Sequence, residues 1–340
     1  MVNLKISTRQ LKLKHQWKIS RGSSSEKEYN FIELESDGTV GFGEAAHNIR
    51  YDESLESIGQ FIESAVPLLK SANPMEFYNL GIEIANLSPG QQAAKAAIDI
   101  ALIDWNAKKL GIPYYRMLGL NANETPITSY SIGIDTVEIM QQKIEEAKDF
   151  PILKIKLGSE NDEEIMRAVR QITNKTVRVD ANEGWTDKRE ALEKIEWLAT
   201  IGVEFIEQPM PANHLDDVAW LREKSPLPLV ADEDVKTAKD IPVLARAYDG
   251  INIKIMKSGG LQEAWRMIQL ARSLNLKIML GCMVESALGI TAAAHLSPLV
   301  DWADLDGNLL ISNDPFRGVV VQKGKIILPN ATGIGIQPIE

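Results

Sequence analysis

The chain reads as an α/β protein: a parallel β/α barrel of eight strands with a smaller α+β domain ahead of it. Three observations predict this. From about residue 125, short β-like runs alternate with helical segments. Four of these runs end in a charged side chain at nearly one pitch, at Asp180, Glu207, Asp232 and Lys254, with gaps of 27, 25 and 22 residues. Finally, 340 residues, 44% hydrophobic and 25% charged, are enough for a barrel and a second domain. One strand, one helix and two short loops fill each gap. In a parallel barrel such strand ends converge on one mouth, where catalytic groups collect.

The first domain is expected over residues 1–123. Strand-like runs at 2–8, 10–20 and 29–36 lead into the Gly-rich segment 38–44, and helical stretches follow near 52–70, 75–86 and 90–109. The segment from Ala93 to Trp105 combines high helix propensity with a buried face at helical period, and Gly111 and Pro113 end it. The barrel is expected over 124–306, with strands at 127–134, 152–156, 177–180, 203–207, 228–232, 251–254, 278–282 and 302–305. Mixed-charge helices such as 160–173, 187–200 and 260–274 separate them, as right-handed parallel crossovers require. Past Asp306 no helical period recurs, only the strand-like runs 319–322 and 325–328, so 307–340 is expected to rejoin the first domain.

Composition excludes several functions. A net charge of −10 argues against a general binder of nucleic acid, which needs a clustered basic face. Cys282 is the only cysteine, so there is no intrachain disulfide, which fits a reducing, cytoplasmic setting. The N-terminus alternates apolar and polar residues and lacks the apolar core of a secretory signal. No membrane span is expected, because Gly281, Glu285, Gly289, His295 and Pro298 interrupt the most apolar stretch, 278–300. Trp197, Trp220 and Trp265 fall at helical spacing and suit core or interface packing.

Chemistry is concentrated at the strand ends. Alternation turns both Lys154 and Lys156 into the barrel, where limited hydration and mutual repulsion favour a neutral amine on one of them; a solvated Lys-x-Lys on an edge strand is the alternative. Asp180, Glu207 and Asp232 cannot stay ionised together without compensation, and a divalent cation supplies it. Carboxylate oxygens alone suit Mg²⁺ better than zinc, whereas single acids at such positions can also cap the following helix. Counting strands puts Lys156 on strand 2 and Lys254 on strand 6, opposed across the acids. A substrate carboxylate on the metal would present its α-carbon between two amines, one removing the proton and the other returning one to the opposite face, with the cation stabilising the ene-diolate between. Asp304 and Asp306 both turn inward on strand 8, away from the proposed metal, as a seat for a substrate ammonium or as a loop pair before Gly307. Arg21 lies in the Gly/Ser-rich segment 19–25, as a loop over the mouth or as a surface arginine. None of the four histidines shares a ligand spacing, and 257–260 reads as a strand-to-helix turn rather than a phosphate loop.

These residues resemble the enolase superfamily, in particular its muconate-lactonizing-enzyme subgroup, along nearly the whole chain. The motifs are Lys154-x-Lys156, Asp180-Ala181-Asn182, Glu207-Gln208-Pro209, Asp232-Glu233 and the segment from Asn252 to Gly260 containing Lys254. The resemblance implies a (β/α)7β TIM-like barrel under an α+β capping domain, one bound Mg²⁺ per subunit, and proton abstraction α to a carboxylate. Within the subgroup, Asp304-x-Asp306 resembles the pair with which dipeptide epimerases hold the dipeptide ammonium. By the same resemblance Ser131 and Cys282 fall at substrate-contacting positions, and Arg21 matches the residue that meets the side-chain carboxylate in Ala-Glu epimerases. The implied reaction inverts the C-terminal residue of Ala-Xaa, with Xaa Glu or a small or apolar residue, in a homo-oligomeric isomerase whose partner is a small dipeptide. The nearest alternative is a muconate cycloisomerase or o-succinylbenzoate synthase reaction on the same metal and lysines, which needs no ammonium seat. A Schiff-base aldolase would require one hydrophobic lysine and no acid triad, and a purely ligand-binding barrel has no use for opposed lysines.

Overall fold

The computed structural model describes residues 2–19 and 22–339, with the backbone alone at 18 and 19. Three antiparallel strands open the chain, β1 (Asn3–Ile19), β2 (Gly22–Ser36) and β3 (Thr39–Ala45), in the order β1-β2-β3. The two runs expected at 2–8 and 10–20 form one strand, because the ladder with β2 continues unbroken from Asn3 to Lys12 and shifts register only between Lys12 and Trp17. The Gly-rich segment is itself a strand. A Cβ at Gly41 would collide with the carbonyl of Ala101, and one at Gly43 with that of Ala97. These glycines let α3 (Gln92–Lys109) lie directly on the sheet.

Helices α1 (Leu55–Ser71) and α2 (Phe77–Leu87) complete this layer. Ser54 caps α1 through a reciprocal box with Ser57. Helix α3 was expected to bury one face, yet every residue from Ala93 to Ala107 is buried. The sheet covers one side of it, and α10 (Ile255–Ser258) and α11 (Leu261–Ser273) of the barrel cover the other. Its alanines permit that approach from both directions.

After the short α4 (Tyr114–Met117) comes the barrel. Its strands are β4 (Tyr130–Ile132), β5 (Ile152–Lys156), β6 (Thr176–Asp180), β7 (Val203–Glu207), β8 (Leu229–Ala231), β9 (Gly250–Ile253), β10 (Lys277–Leu280) and β11 (Trp302–Ala303). They pair in parallel in sequence order. The ring closes where Ser129 N donates to Ala303 O at 3.1 Å. Helices α5 (Val137–Glu146), α6 (Asp162–Ile172), α7 (Lys188–Thr200), α8 (Leu215–Arg222), α9 (Ile241–Leu244), α11 and α12 (Ala287–Ala294) fill the seven crossovers, giving the (β/α)7β order. Phe205, Val230 and Met279 pack together with Trp302 inside the ring and close its interior.

Two carboxylates of the capping domain seat it on the barrel. Glu44 accepts from Ser286 N (2.9 Å), Ser286 Oγ (2.5 Å) and Gly289 N (3.0 Å) at the start of α12, while Asp99 accepts from Leu261 N and Gln262 N at the start of α11. Each satisfies orphan donors of a helix N-terminus. The tail touches both domains: Ser312 N donates to Lys12 O and Ile334 N to Asp104 Oδ1, and the hairpin β13 (Val320–Gln322) and β14 (Lys325–Ile327) lies along Ile127 and Thr128. No helix among the described residues is long and apolar enough to cross a membrane.

Candidate active site

Asp180 ends β6, Glu207 ends β7, and Asp232 follows β8, so parallel pairing brings the three to adjacent positions on the mouth. One carboxylate oxygen from each lies within 4.8 Å of the others, and all three residues are buried. This donor set is all oxygen and compact, and it leaves Glu207 Oε2 buried without a properly aligned hydrogen bond although Lys154 Nζ stands 2.6 Å away. A hard divalent cation fits such a cluster.

Lysines surround the acids. Lys156 Nζ donates to Asp180 Oδ2 at 2.5 Å and Lys254 Nζ to Asp232 Oδ2 at 2.6 Å. The first sits on β5 and the second just past β9, four strands away in an eight-strand ring, so they stand across the mouth from one another. Lys154 Nζ reaches Glu207 (2.6 Å), Asp304 (2.8 Å) and Asp180 (3.3 Å). A neutral amine was expected on one of the β5 pair. For Lys154 the opposite holds: burial lowers its pKa, but Asp304, Glu207 and Asp180 outweigh burial and hold the ammonium well above the ordinary lysine range. Burial also pushes Asp180 and Asp232 up, and the neighbouring lysines overcome it and keep both carboxylates below their usual range. Glu207 is pushed up, by burial and then by Asp180.

Asp304 and Asp306 were expected to stand apart from the metal acids with two full charges. Instead, Asp304 shares Lys154 with them, and its Oδ1 also accepts from Ser129 Oγ (2.6 Å) and Ser131 Oγ (3.2 Å). Asp306 accepts from Ser131 N at 2.6 Å. Burial and then Asp304 push the Asp306 carboxyl up, while Lys154 overcomes burial to hold Asp304 down. Ser131 and Cys282 line the same cavity of about 460 Å³, and the Cys282 thiol, raised by burial and nearby acids, donates to Asp304 O. Arg21 lies outside the described residues.

Some residues of this site were missed. Lys257, read as part of a turn, donates to Asp232 Oδ1 at 2.5 Å. It follows Lys254 by three residues, one helical turn, which was a legible signal. Asn252 Nδ2 donates to Glu207 Oε1 at 2.7 Å, and strand alternation from Lys254 would have turned it inward. Tyr29, His47 and Lys27 reach the cavity from the capping domain, a placement that no local pattern announces.

A barrel mouth with a buried acid triad between opposed lysines, under an α+β cap, has the arrangement of an active site. Residues 1–119 match the mandelate racemase / muconate lactonizing enzyme N-terminal domain, and residues 135–340 match the enolase C-terminal domain-like family. The chain belongs to this family of the enolase superfamily, and it is an isomerase, an epimerase by class. It is 44% identical over 331 residues to the L-Ala-D/L-Glu epimerase of Bacteroides thetaiotaomicron, covering 97% of this chain and 86% of that one. It is 42% identical to the L-Ala-D/L-amino acid epimerase of Pedosphaera parvula, covering 97% of each. The dipeptide epimerase of Enterococcus faecalis V583, solved with Mg and L-Leu-L-Tyr, superposes with a TM-score of 0.93 at 32% identity, covering 98% of each chain.

Proposed function

We propose that the protein is a Mg²⁺-dependent dipeptide epimerase inverting the α-carbon of the C-terminal residue of Ala-Xaa, Xaa being Glu or a small or apolar residue. The observation that carries this is the clustering of Asp180, Glu207 and Asp232 within 4.8 Å, between lysines four strands apart. Asp180, Glu207 and Asp232 would hold the ion, which when bound draws off the charge that the substrate carboxylate gains as its α-proton leaves. Lys156 and Lys254 face the α-carbon from opposite sides, one accepting its proton and the other returning one, which inverts the centre. Lys154 positions the acids it bridges. Asp304 and Asp306 hold the N-terminal ammonium, beside Ser131 and Cys282 in the cavity wall.

The Asp304–Asp306 pair favours this over a cycloisomerase or dehydrating synthase, whose substrates bring no ammonium. Self-association in the cytoplasm belongs to the same reading; α2 leaves Tyr78, Ile82 and Leu87 exposed, which suits a contact between copies. The test is incubation with a dipeptide library and Mg²⁺ in deuterated water, following α-deuterium by mass and configuration by chiral separation. Exchange with inversion at the C-terminal residue, stopped by chelation and restored by Mg²⁺, is expected. Exchange without inversion, or loss of water from a hydroxy acid instead, would overturn it.

A further inference from the structure

The seam between cap and barrel holds two carboxyl groups that the proposed reaction does not use. Glu44, on β3, and Glu285, in the loop between β10 and α12, are both fully buried. A Cβ added to Gly289 would meet Glu285 Oε2, Met256 Cε and Glu44 Oε2, so the two carboxyl oxygens border one small space where α12 begins. Their hydrogen bonds differ. Glu44 accepts at both oxygens, from Ser286 N, Ser286 Oγ and Gly289 N. Glu285 Oε1 accepts from Met283 N at 2.8 Å, but its Oε2 is buried with no hydrogen-bond partner among the described residues. A bare anionic oxygen buried beside a second carboxylate is strongly unfavourable, and a proton on Oε2 removes both the missing bond and the repulsion.

The groups facing the pair offer no other remedy. Tyr29 on β2 and Cys282 after β10 stay neutral, each raised well above its ordinary range by burial and by nearby acids. Asp314 brings a third carboxyl, whose oxygens accept from Ala287 N (2.8 Å) and Phe316 N (3.0 Å). Lys254, the ammonium whose charge reaches Glu285, is taken by Asp232 at 2.6 Å. Burial and then Glu44 push the Glu285 carboxyl up to about 8, and burial pushes Glu44 up to about 7 against its bonds from Ser286 and Gly289.

We propose that Glu44 and Glu285 share a single proton, carried on Glu285 Oε2, and that this proton is a pH-sensitive latch between cap and barrel. With it in place, Glu44 remains the anion that holds the start of α12. Its loss sets two carboxylates against each other across the seam and loosens Ser286 and Gly289 from Glu44. Met283 and Val284 line the active-site cavity and Tyr29 reaches it from the cap, so the loosening extends to the mouth. The sign follows from proton binding. Between the ordinary 4.5 and about 8 the folded protein keeps a proton that the unfolded chain has lost, so the contribution to stability is full below 4.5, declines as pH rises and is gone above about 8.

The test is hydrogen–deuterium exchange read by mass spectrometry on wild type and Glu285→Gln, which mimics the protonated carboxyl, between about pH 6 and pH 9.5, with each rate divided by its intrinsic chemical rate. Protection of the Ser286 and Gly289 amides of wild type should fall at least about tenfold relative to β7 as pH passes 8, whereas Glu285→Gln should keep its protection throughout. Infrared spectra of wild type should contain the carbonyl stretch of a buried carboxylic acid that fades over the same pH range and is missing from the variant. Neither readout uses catalysis, and if the variant fails to fold, the two wild-type profiles decide. Wild-type protection that stays constant across the range, an equal fall in both proteins, or an acid band that does not fade in step with protection would overturn the latch.

Discussion

Lowering the pH from 7 to 5 should withdraw about 2 kcal/mol of folding stability through one imidazole, that of His295. The ring is fully buried at the end of α12; Nδ1 accepts from Tyr115 N at 3.0 Å, and Nε2 lies 3.0 Å from the Ile334 carbonyl. These partners define the neutral ring with its proton on Nε2. A second proton on Nδ1 would point at the Tyr115 N–H. Burial accordingly lowers the pKa to about 4 from an ordinary 6.5. The unfolded chain therefore binds more protons than the folded one between these values, so the contribution is complete above 6.5 and is lost as pH falls toward 4. At about 1.4 kcal/mol per unit, the whole shift amounts to roughly 3 kcal/mol, of which about 2 falls between pH 7 and 5. Asp99 (about 6) and Glu44 (about 7), raised by burial, oppose it, since each is more protonated in the folded state and stabilises as pH falls. The measurement must isolate the histidine. Urea unfolding of wild type and His295→Asn, which keeps an acceptor for Tyr115 N, should be compared at pH 7 and pH 5. The stability difference between the two proteins should shrink by about 2 kcal/mol at the lower pH. Parallel behaviour, with a change below about 0.5 kcal/mol, would refute the neutral-imidazole account.

Three further outcomes follow from the geometry. Lys156→Ala and Lys254→Ala should each lower epimerisation by at least about 10²-fold, the lower end for a positioned acid–base group, with circular dichroism unchanged; full turnover in either would sink the two-base scheme. Asn252→Leu removes the donor that orients Glu207 and should weaken Mg²⁺ binding by roughly 10- to 100-fold in a calorimetric titration, whereas an unchanged affinity would make that hydrogen bond incidental. Gly43→Val drives a side chain into the Ala97 carbonyl and should lower stability by about 1–3 kcal/mol or more in thermal unfolding; an unaltered midpoint would mean that α3 can back away from β3.

The barrel was readable in linear order because each βα unit repeats a similar length and each strand, buried on both faces, is a dense apolar run with a polar terminus. Periodicity of that kind is a short-range property. It was sufficient to bring Asp180, Glu207 and Asp232 to neighbouring strand ends and to set Lys156 and Lys254 four strands apart. The N-terminal sheet was less readable. Gly41 and Gly43 carry the local mark of a loop, and their placement in β3 depends on Ala97 and Ala101, more than fifty residues later.

Charge states and the cap's contribution to the mouth belong to the folded molecule. Lys154 is an ammonium because Asp304, 150 residues away, and Glu207 sit within 3 Å of it, and no reading of Leu153-Lys154-Ile155-Lys156 contains those distances. The same holds for Asp306, raised by burial and by its neighbour Asp304, and for His295, pinned between Tyr115 and Ile334. Strand and helix periods follow from bonded neighbours, and a chain carries those in its order. Desolvation and Coulomb energies sum over whatever folding brings within a few ångströms, so they come into being only when distant strands and loops meet in the folded molecule.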